Sequence, residues 1–347
     1  MDKIEINTRV ILNNNNSKEA TLIKNPFRDI KIIPDQIYAT YNGEIVGSVY
    51  VFPILIKTNN NIIIGNGGST LFVNKEKRGL GIGKKLAYER LNISPNKVSI
   101  LAGLSSMSYP LYTKLGCKFF YSKRIGYINN SGPILTAKFG KYSKHIIPHL
   151  VNFLLRLFYF PYSLSYKKLS KKYNVIKVNN ASERIEEIAT NSLLFQELHT
   201  KEWFNWHINN TFFNTNQDYQ ALYEVHDENA KTIAFFMVKI RTKEINNNKI
   251  KIISLIEWGI AKESSLSEKD IIILLIHEMK KLNPDIIEVS FLDKNLMKHL
   301  EKTGFFFLKE ARIGIYVGED SPLRKYSGFN IDSNWRLRPA YSDYGLS

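Results

Sequence analysis

The sequence holds a single cysteine, Cys117, which excludes a disulfide within the chain. Nor is there an apolar run of the ~20 residues that a membrane-crossing helix needs. The most lipid-like stretch, Val151 to Phe160, is broken by Arg156 and followed by Pro161, so no membrane span is expected. The first residues, Met1-Asp2-Lys3-Ile4-Glu5, lack an apolar secretion segment, and a cytoplasmic location is the expectation. No spacing of His145, His149, His199, His226, His277 or His299 with acidic residues or Cys117 suggests a metal site, so no metal is expected. An arginine-rich run is also missing. That weighs against a nucleic-acid-binding module, although the formal charge of +16 by itself suits any polyanion.

With 347 residues and 44% hydrophobic content, the chain has enough apolar side chains for two cores. The clearest local pattern is Val73-Asn74-Lys75-Glu76-Lys77-Arg78-Gly79-Leu80-Gly81-Ile82-Gly83-Lys84-Lys85-Leu86. Thr70 to Val73 reads as the end of a strand, while Leu80, Ile82, Leu86, Ala87 and Leu91 give a helical apolar face. The glycines therefore fall at a helix N-terminus, where unpaired N–H groups and the helix dipole favour a phosphate. Two nucleotide motifs fail on spacing. A P-loop needs four residues between its glycines and Ser or Thr after the lysine, and a Rossmann fingerprint needs two between its last glycines.

What remains is Arg78-x-x-Gly81-x-Gly83, and here the sequence resembles the GNAT superfamily of acyl-coenzyme A-dependent N-acyltransferases. The resemblance implies that the N–H groups of Arg78, Gly79, Leu80, Gly81, Ile82, Gly83 and Lys84 hold the coenzyme A pyrophosphate, with Phe72, Val73 and Ser105 among its contacts. A second match lies downstream. Ser108-Tyr109-Pro110-Leu111-Tyr112-Thr113-Lys114-Leu115-Gly116-Cys117 resembles the family's later Ala-x-x-x-Tyr-x-x-x-Gly-Phe motif. By that resemblance Tyr112 is the candidate acid that protonates the departing thiolate, and Cys117, in the slot of a packed phenylalanine, is expected in the core.

The hairpin pattern Ile37 to Tyr41, Asn42-Gly43, Glu44 to Val51 is echoed by Gln220 to Asn229 and Thr232 to Val238. The echo continues through a strand at Lys251 to Ile256, a helix capped by Ser267 with Asp270, a strand at Ile286 to Phe291, and Leu300-Glu301-Lys302-Thr303-Gly304-Phe305. The expected fold is thus α/β (α+β): two tandem GNAT-like domains, each a mixed, mostly antiparallel twisted sheet with flanking helices. The expected division is 1–140 with the acyl-coenzyme A site, 141–172 as a basic, aromatic helical connector, and 173–347 as a degenerate copy with an acceptor-binding tail. The second copy has no glycine motif, and Leu300 stands in the tyrosine's place.

Attack by an amine requires a base, and Glu257, His207 and Asp343 are candidates. Trp206 and Trp258 are candidate acceptor contacts. In the last segment Trp335, Arg336, Arg338 and Tyr341 place two bidentate phosphate ligands among aromatic rings, a combination able to grip a nucleotide diphosphate. Within the superfamily the chain resembles the tandem sugar N-acyltransferases of dTDP-3-amino-3,6-dideoxyhexose pathways. That implies transfer from acetyl-coenzyme A or another short acyl-coenzyme A, hydroxylated or not, to a dTDP- or UDP-linked amino sugar for bacterial surface polysaccharide (lipopolysaccharide, capsule or O-antigen). The alternatives are an aminoacyl-tRNA or peptidoglycan-type tandem GNAT transferase and a non-catalytic basic module.

Overall fold

Two strands joined by Asn42-Gly43 open the sheet: β2 (Gln36–Tyr41) and β3 (Glu44–Lys57), with φ of 51° and 83° at the turn, as a two-residue primed hairpin requires. The computed structural model describes residues 4–12, 19, 22–30, 33–58, 61–140, 146–191, 195–209, 218–326 and 328–341. The sequence also predicts a short helix from Ser17, and that stretch lies mostly outside these residues. Strand β1 (Ile4–Arg9) pairs with β2, and β4 (Ile62–Val73) with β3, all antiparallel. Helix α1 (Ile82–Asn92) then leads to β5 (Val98–Ala102), which lies parallel to β4. Helix α2 (Ser108–Lys114) and strand β6 (Lys118–Ile128) follow.

The second half repeats this order. After α3 (Gly132–Phe139), α4 (Ile146–Leu169), β7 (Asn174–Val178), α5 (Glu183–Thr190), β8 (Gln196–Glu197) and α6 (Lys201–Asn209) comes the antiparallel run β9 (Tyr219–His226), β10 (Thr232–Ile245) and β11 (Asn248–Ile260). Helix α7 (Glu268–Lys280) leads to β12 (Ile286–Val289), parallel to β11, and α8 (Lys294–Lys302) to β13 (Phe306–Val317). The cap expected for α7 is present: Ser267 accepts from the Asp270 N–H, and the Asp270 carboxylate accepts from the Ser267 N–H.

The chain divides into two units, one of Met1–Tyr121, Asn191–Phe213 and Arg312–Ser347, the other of Ser122–Thr190 and Asn214–Ala311. This differs from the division expected in sequence order. Residues 141–172 belong to the second unit, and 191–213 and 312–347 to the first. The reason is an exchange of last strands. Ile313 to Val317 of β13 pair antiparallel with β5 in the first unit, and Ile125 to Ile128 of β6 pair antiparallel with β12 in the second.

Each unit has its own core. In the first, Ile37, Val49, Val51, Ile82 and Leu86 pack the sheet against the N-terminal half of α1, and Ala87, Leu91, Leu101, Tyr112 and Cys117 form a second cluster beside them. The second unit's core gathers Phe236, Leu255, Trp258, Leu275, Met279 and Leu300 with Leu155, Tyr159 and Tyr162 of α4. Burial of apolar area at about 25 cal/mol per Å² makes these clusters the main stabilising term in each unit.

Candidate functional site

The glycine-rich turn is built by backbone geometry alone. After β4, Lys75–Lys77 form a single 3₁₀ turn whose start is capped by the Asn74 side chain. Gly79 and Gly81 then take φ of 91° and 77°, the left-handed region that strains other residues. Gly81 is the N-cap of α1, and no side chain caps that end. The N–H groups that open the helix thus have no partner within it. A Cβ on Gly79 or Gly81 would meet nothing within 4 Å, and one on Gly83 only Val73 Cγ2 at 3.6 Å, so open space lies over the turn. Lys75, Arg78, Lys84 and Lys85 are exposed around it, with Glu76 the single acid of that stretch. Unpaired donors, a helix dipole and surrounding cations give an anion site.

Val73 stands opposite Gly47 of β3, but its carbonyl faces away from that strand. The Asn74 N–H donates to Val46 O of β3 at 2.8 Å, whereas the Val73 carbonyl accepts from Arg78 Nε at 3.3 Å. Phe72 beside it is 53% exposed, although it is a phenylalanine in a central strand. Strands β4 and β5 pair only at Asn66↔Ser99, a contact tightened by the Ser99 hydroxyl donating to Asn66 Oδ1 at 2.5 Å. Beyond it, toward Val73 and Ala102, no ladder joins them.

At the base of that fork sits Arg90, which sequence reasoning missed. It is 3% exposed, donates from Nη2 to Ile100 O at 3.2 Å and from Nη1 to the Tyr112 hydroxyl at 3.1 Å, and leaves Nε without a hydrogen bond. Gly68 makes room for it, since a Cβ there would lie 2.5 Å from Arg90 Nε. The signal was available: Arg90 follows Ile82 and Leu86 at four-residue spacing, a cation on the buried face of a helix.

Tyr112 is fully buried under α1, and its oxygen accepts from Arg90, so its own proton remains free to be donated. Burial pushes the Cys117 thiol up to about 12, against a weaker pull from Arg90, and this side chain is a core group as expected. Ser105 is exposed and accepts from the Ser108 N–H, fixing the turn into α2.

The other candidates are dispersed. Trp258, expected at the acceptor, is a core residue of the second unit, 1% exposed, its indole N–H held by Glu268. Glu257 is equally buried and accepts from the Trp258 N–H. His207 is fully buried and stacks on Trp203 at 3.8 Å, while Trp206 packs edge-on against Phe52. All four of these candidates are buried. Asp343 lies outside the described residues.

The segment expected to grip an acceptor is packed on the first unit instead. The Phe195 N–H donates to Asn334 O and the Arg336 N–H to Phe195 O, a two-bond clasp. Trp335 and Tyr341 are buried, the indole N–H bonded to Phe329 O and the phenol to Arg336 O, so neither ring is free to stack a base. Arg338 turns back to Leu337 O and Arg336 reaches Gln196, rather than projecting as a pair of forks.

No family model and no curated protein matches this sequence. Solved structures do. The fold is similar to N-myristoyltransferase of Saccharomyces cerevisiae with bound myristoyl-CoA, at a TM-score of 0.55 and 11% identity over 90% of this chain and 82% of that one. It is similar to a GCN5-related N-acetyltransferase from Anabaena variabilis, at 0.53 and 11% over 91% and 73%. A probable N-acyltransferase from Enterococcus faecalis gives 0.56 and 10% over 92% and 74%. This chain has the GNAT-type fold. At such identities the likeness establishes architecture, and within the GNAT-type fold the open turn at Gly79 to Gly83 is the local feature of this chain that points to a ligand.

Proposed function

We propose that this protein is an acyl-coenzyme A-dependent N-acyltransferase. The observation that carries the proposal is the uncapped α1 N-terminus behind Gly79 and Gly81, open to solvent, ringed by cations and placed directly after β4. In this reading the N–H groups from Gly79 to Lys84 hold the donor's pyrophosphate, the Arg78 N–H being donated to Lys75 O, and the parted ends of β4 and β5 receive its thioester arm. Val73, its carbonyl facing away from β3, offers its N–H to the thioester oxygen as negative charge develops there. The acceptor amine forms a C–N bond as the C–S bond breaks. Tyr112 supplies the proton taken up by the thiolate while Arg90 holds the phenol oxygen, and the amine's proton leaves to a base or to water.

The finer reading is that the acceptor is a nucleotide-linked amino sugar of a surface-polysaccharide pathway. Its support is the formal charge of +16, which favours a polyanionic acceptor, together with the sequence resemblance. The packed tail withdraws Trp335 and Tyr341 from acceptor stacking. A panel of acyl-coenzyme A donors against dTDP- and UDP-amino sugars, read by mass spectrometry with thiol release in parallel, tests both levels. Acyl mass on a sugar nucleotide with equal thiol release is expected. Thiol release without a sugar product would remove the sugar reading and keep the donor. No thiol release with any amine acceptor would overturn the activity.

A further inference from the structure

Helix α4 is apolar on two sides, one buried and one exposed. One side buries Leu155, Tyr159 and Tyr162 in the second unit's core, where Tyr159 stacks on Tyr127 at 3.9 Å and donates to Gly304 O. On the other, Ile147, Leu150, Leu154, Leu157, Phe158 and Leu164 are each 46–60% exposed. At about 100° per residue these six fall within a stripe about 120° wide, centred about 130° round the helix from the buried side. Phe153 and Phe160, 58% and 59% exposed, widen it along one edge. A single exposed leucine needs no explanation, but a continuous stripe along a helix about 36 Å long does.

Charge identifies the occupant. Helix α4 contains no acidic residue, and none occurs anywhere between Glu89 and Glu183. Over residues 122–182, within the second unit, that stretch carries eleven lysines and arginines. Arg156 and Lys167 border the stripe beside Phe153 and Phe160, and Lys168, Lys171 and Lys172 stand exposed at its end. A second copy would bring the same cations against themselves. Spanning is not open to the helix, since among the described residues no helix is long and apolar enough to cross a membrane. A stripe of Leu, Ile and Phe edged by Lys and Arg, on a helix anchored by another of its sides, suits the boundary between lipid headgroups and acyl chains.

We propose that α4 lies along the surface of a membrane containing anionic lipid, its Leu157 side sunk below the headgroups and its lysines on the phosphates. The test is flotation of the full chain with vesicles of phosphatidylcholine alone and of phosphatidylcholine mixed with phosphatidylglycerol. The protein is expected to float with the mixed vesicles, about tenfold or more better than with the neutral ones, and to come off as salt is raised. Phe153→Ser/Leu157→Ser and Lys167→Glu/Lys168→Glu, all at exposed positions, should each reduce binding about tenfold or more at unchanged melting temperature and coenzyme A affinity. Three results would overturn the proposal: no flotation with either vesicle, binding that both variants retain, or a solution dimer that Phe153→Ser/Leu157→Ser converts to monomer.

Discussion

The Tyr112 hydroxyl accepts a hydrogen bond from Arg90 Nη1 at 3.1 Å, with both side chains buried at the base of the fork between β4 and β5. The tyrosine is tied to a charged partner, and loss of its hydroxyl leaves a buried guanidinium donor of Arg90 without this acceptor. Tyr112→Phe should therefore act twice. Stability should fall by about 1–3 kcal/mol. Acyl transfer should lose a factor of about 10²–10⁴ in kcat, with KM for the donor little changed. Melting curves and steady-state kinetics separate the two, and a variant with lowered melting temperature but unchanged kcat would confine Tyr112 to holding Arg90.

The clasp of Phe195 on Asn334 and Arg336 makes the last described segment part of the first unit's core. Trp335→Ala should cost about 3–5 kcal/mol, as expected for a buried tryptophan. Arg336→Ala/Arg338→Ala, which removes no buried ring, should cost less than half of that. An unchanged melting temperature for Trp335→Ala, with a raised KM for the acceptor, would return the segment to acceptor recognition.

In the second unit, Arg124 Nη1 lies 3.4 Å and Arg241 Nη2 2.5 Å from Glu288 Oε1, and Ser254 donates to the same oxygen. Burial pushes the Glu288 carboxyl up, but Arg124, then Arg241 and Ser254, outweigh it and hold the group below the usual carboxylate range. A depressed folded-state value means that the stabilisation is present above the unfolded value of about 4.3 and is lost as pH falls through the folded one. Glu288→Gln should cost about 3–5 kcal/mol at pH 7 by removing the charge that faces the buried Arg124 and the partly buried Arg241. It should also flatten the acid limb of the melting-temperature profile below about pH 4. An acid limb as steep in the variant as in the wild type would assign that limb to other carboxylates.

Short-range patterns carried most of the fold. Asn42-Gly43, the Ser267 and Asp270 cap and the glycines of the turn each act through backbone geometry within a few residues, so the sequence displays them directly. The exchange of last strands was not legible, because Ile125 to Ile128 and Ile313 to Val317 have the same apolar alternation whichever unit's strands they join. Trp335, Tyr341 and Trp258 misled for a related reason. An aromatic ring is equally suited to a core and to a ligand face, and only its neighbours decide. Arg90 was hidden by the opposite habit of reading a cation in a helix as a solvated one.

The central claim is that the turn over α1 binds the pyrophosphate of coenzyme A, and isothermal titration with coenzyme A tests it most directly on wild type and Gly83→Val. Gly81 is the poorer probe, since its φ of 77° strains any replacement whether or not a ligand binds. Gly83 is helical, and a Cβ there touches only Val73 Cγ2 at 3.6 Å, so valine fits the fold while filling space above the donors. The account predicts that the wild type binds coenzyme A and that Gly83→Val, at an unchanged melting temperature, binds about tenfold or more weakly. Equal affinity in the two proteins, or no binding by the wild type, would contradict it.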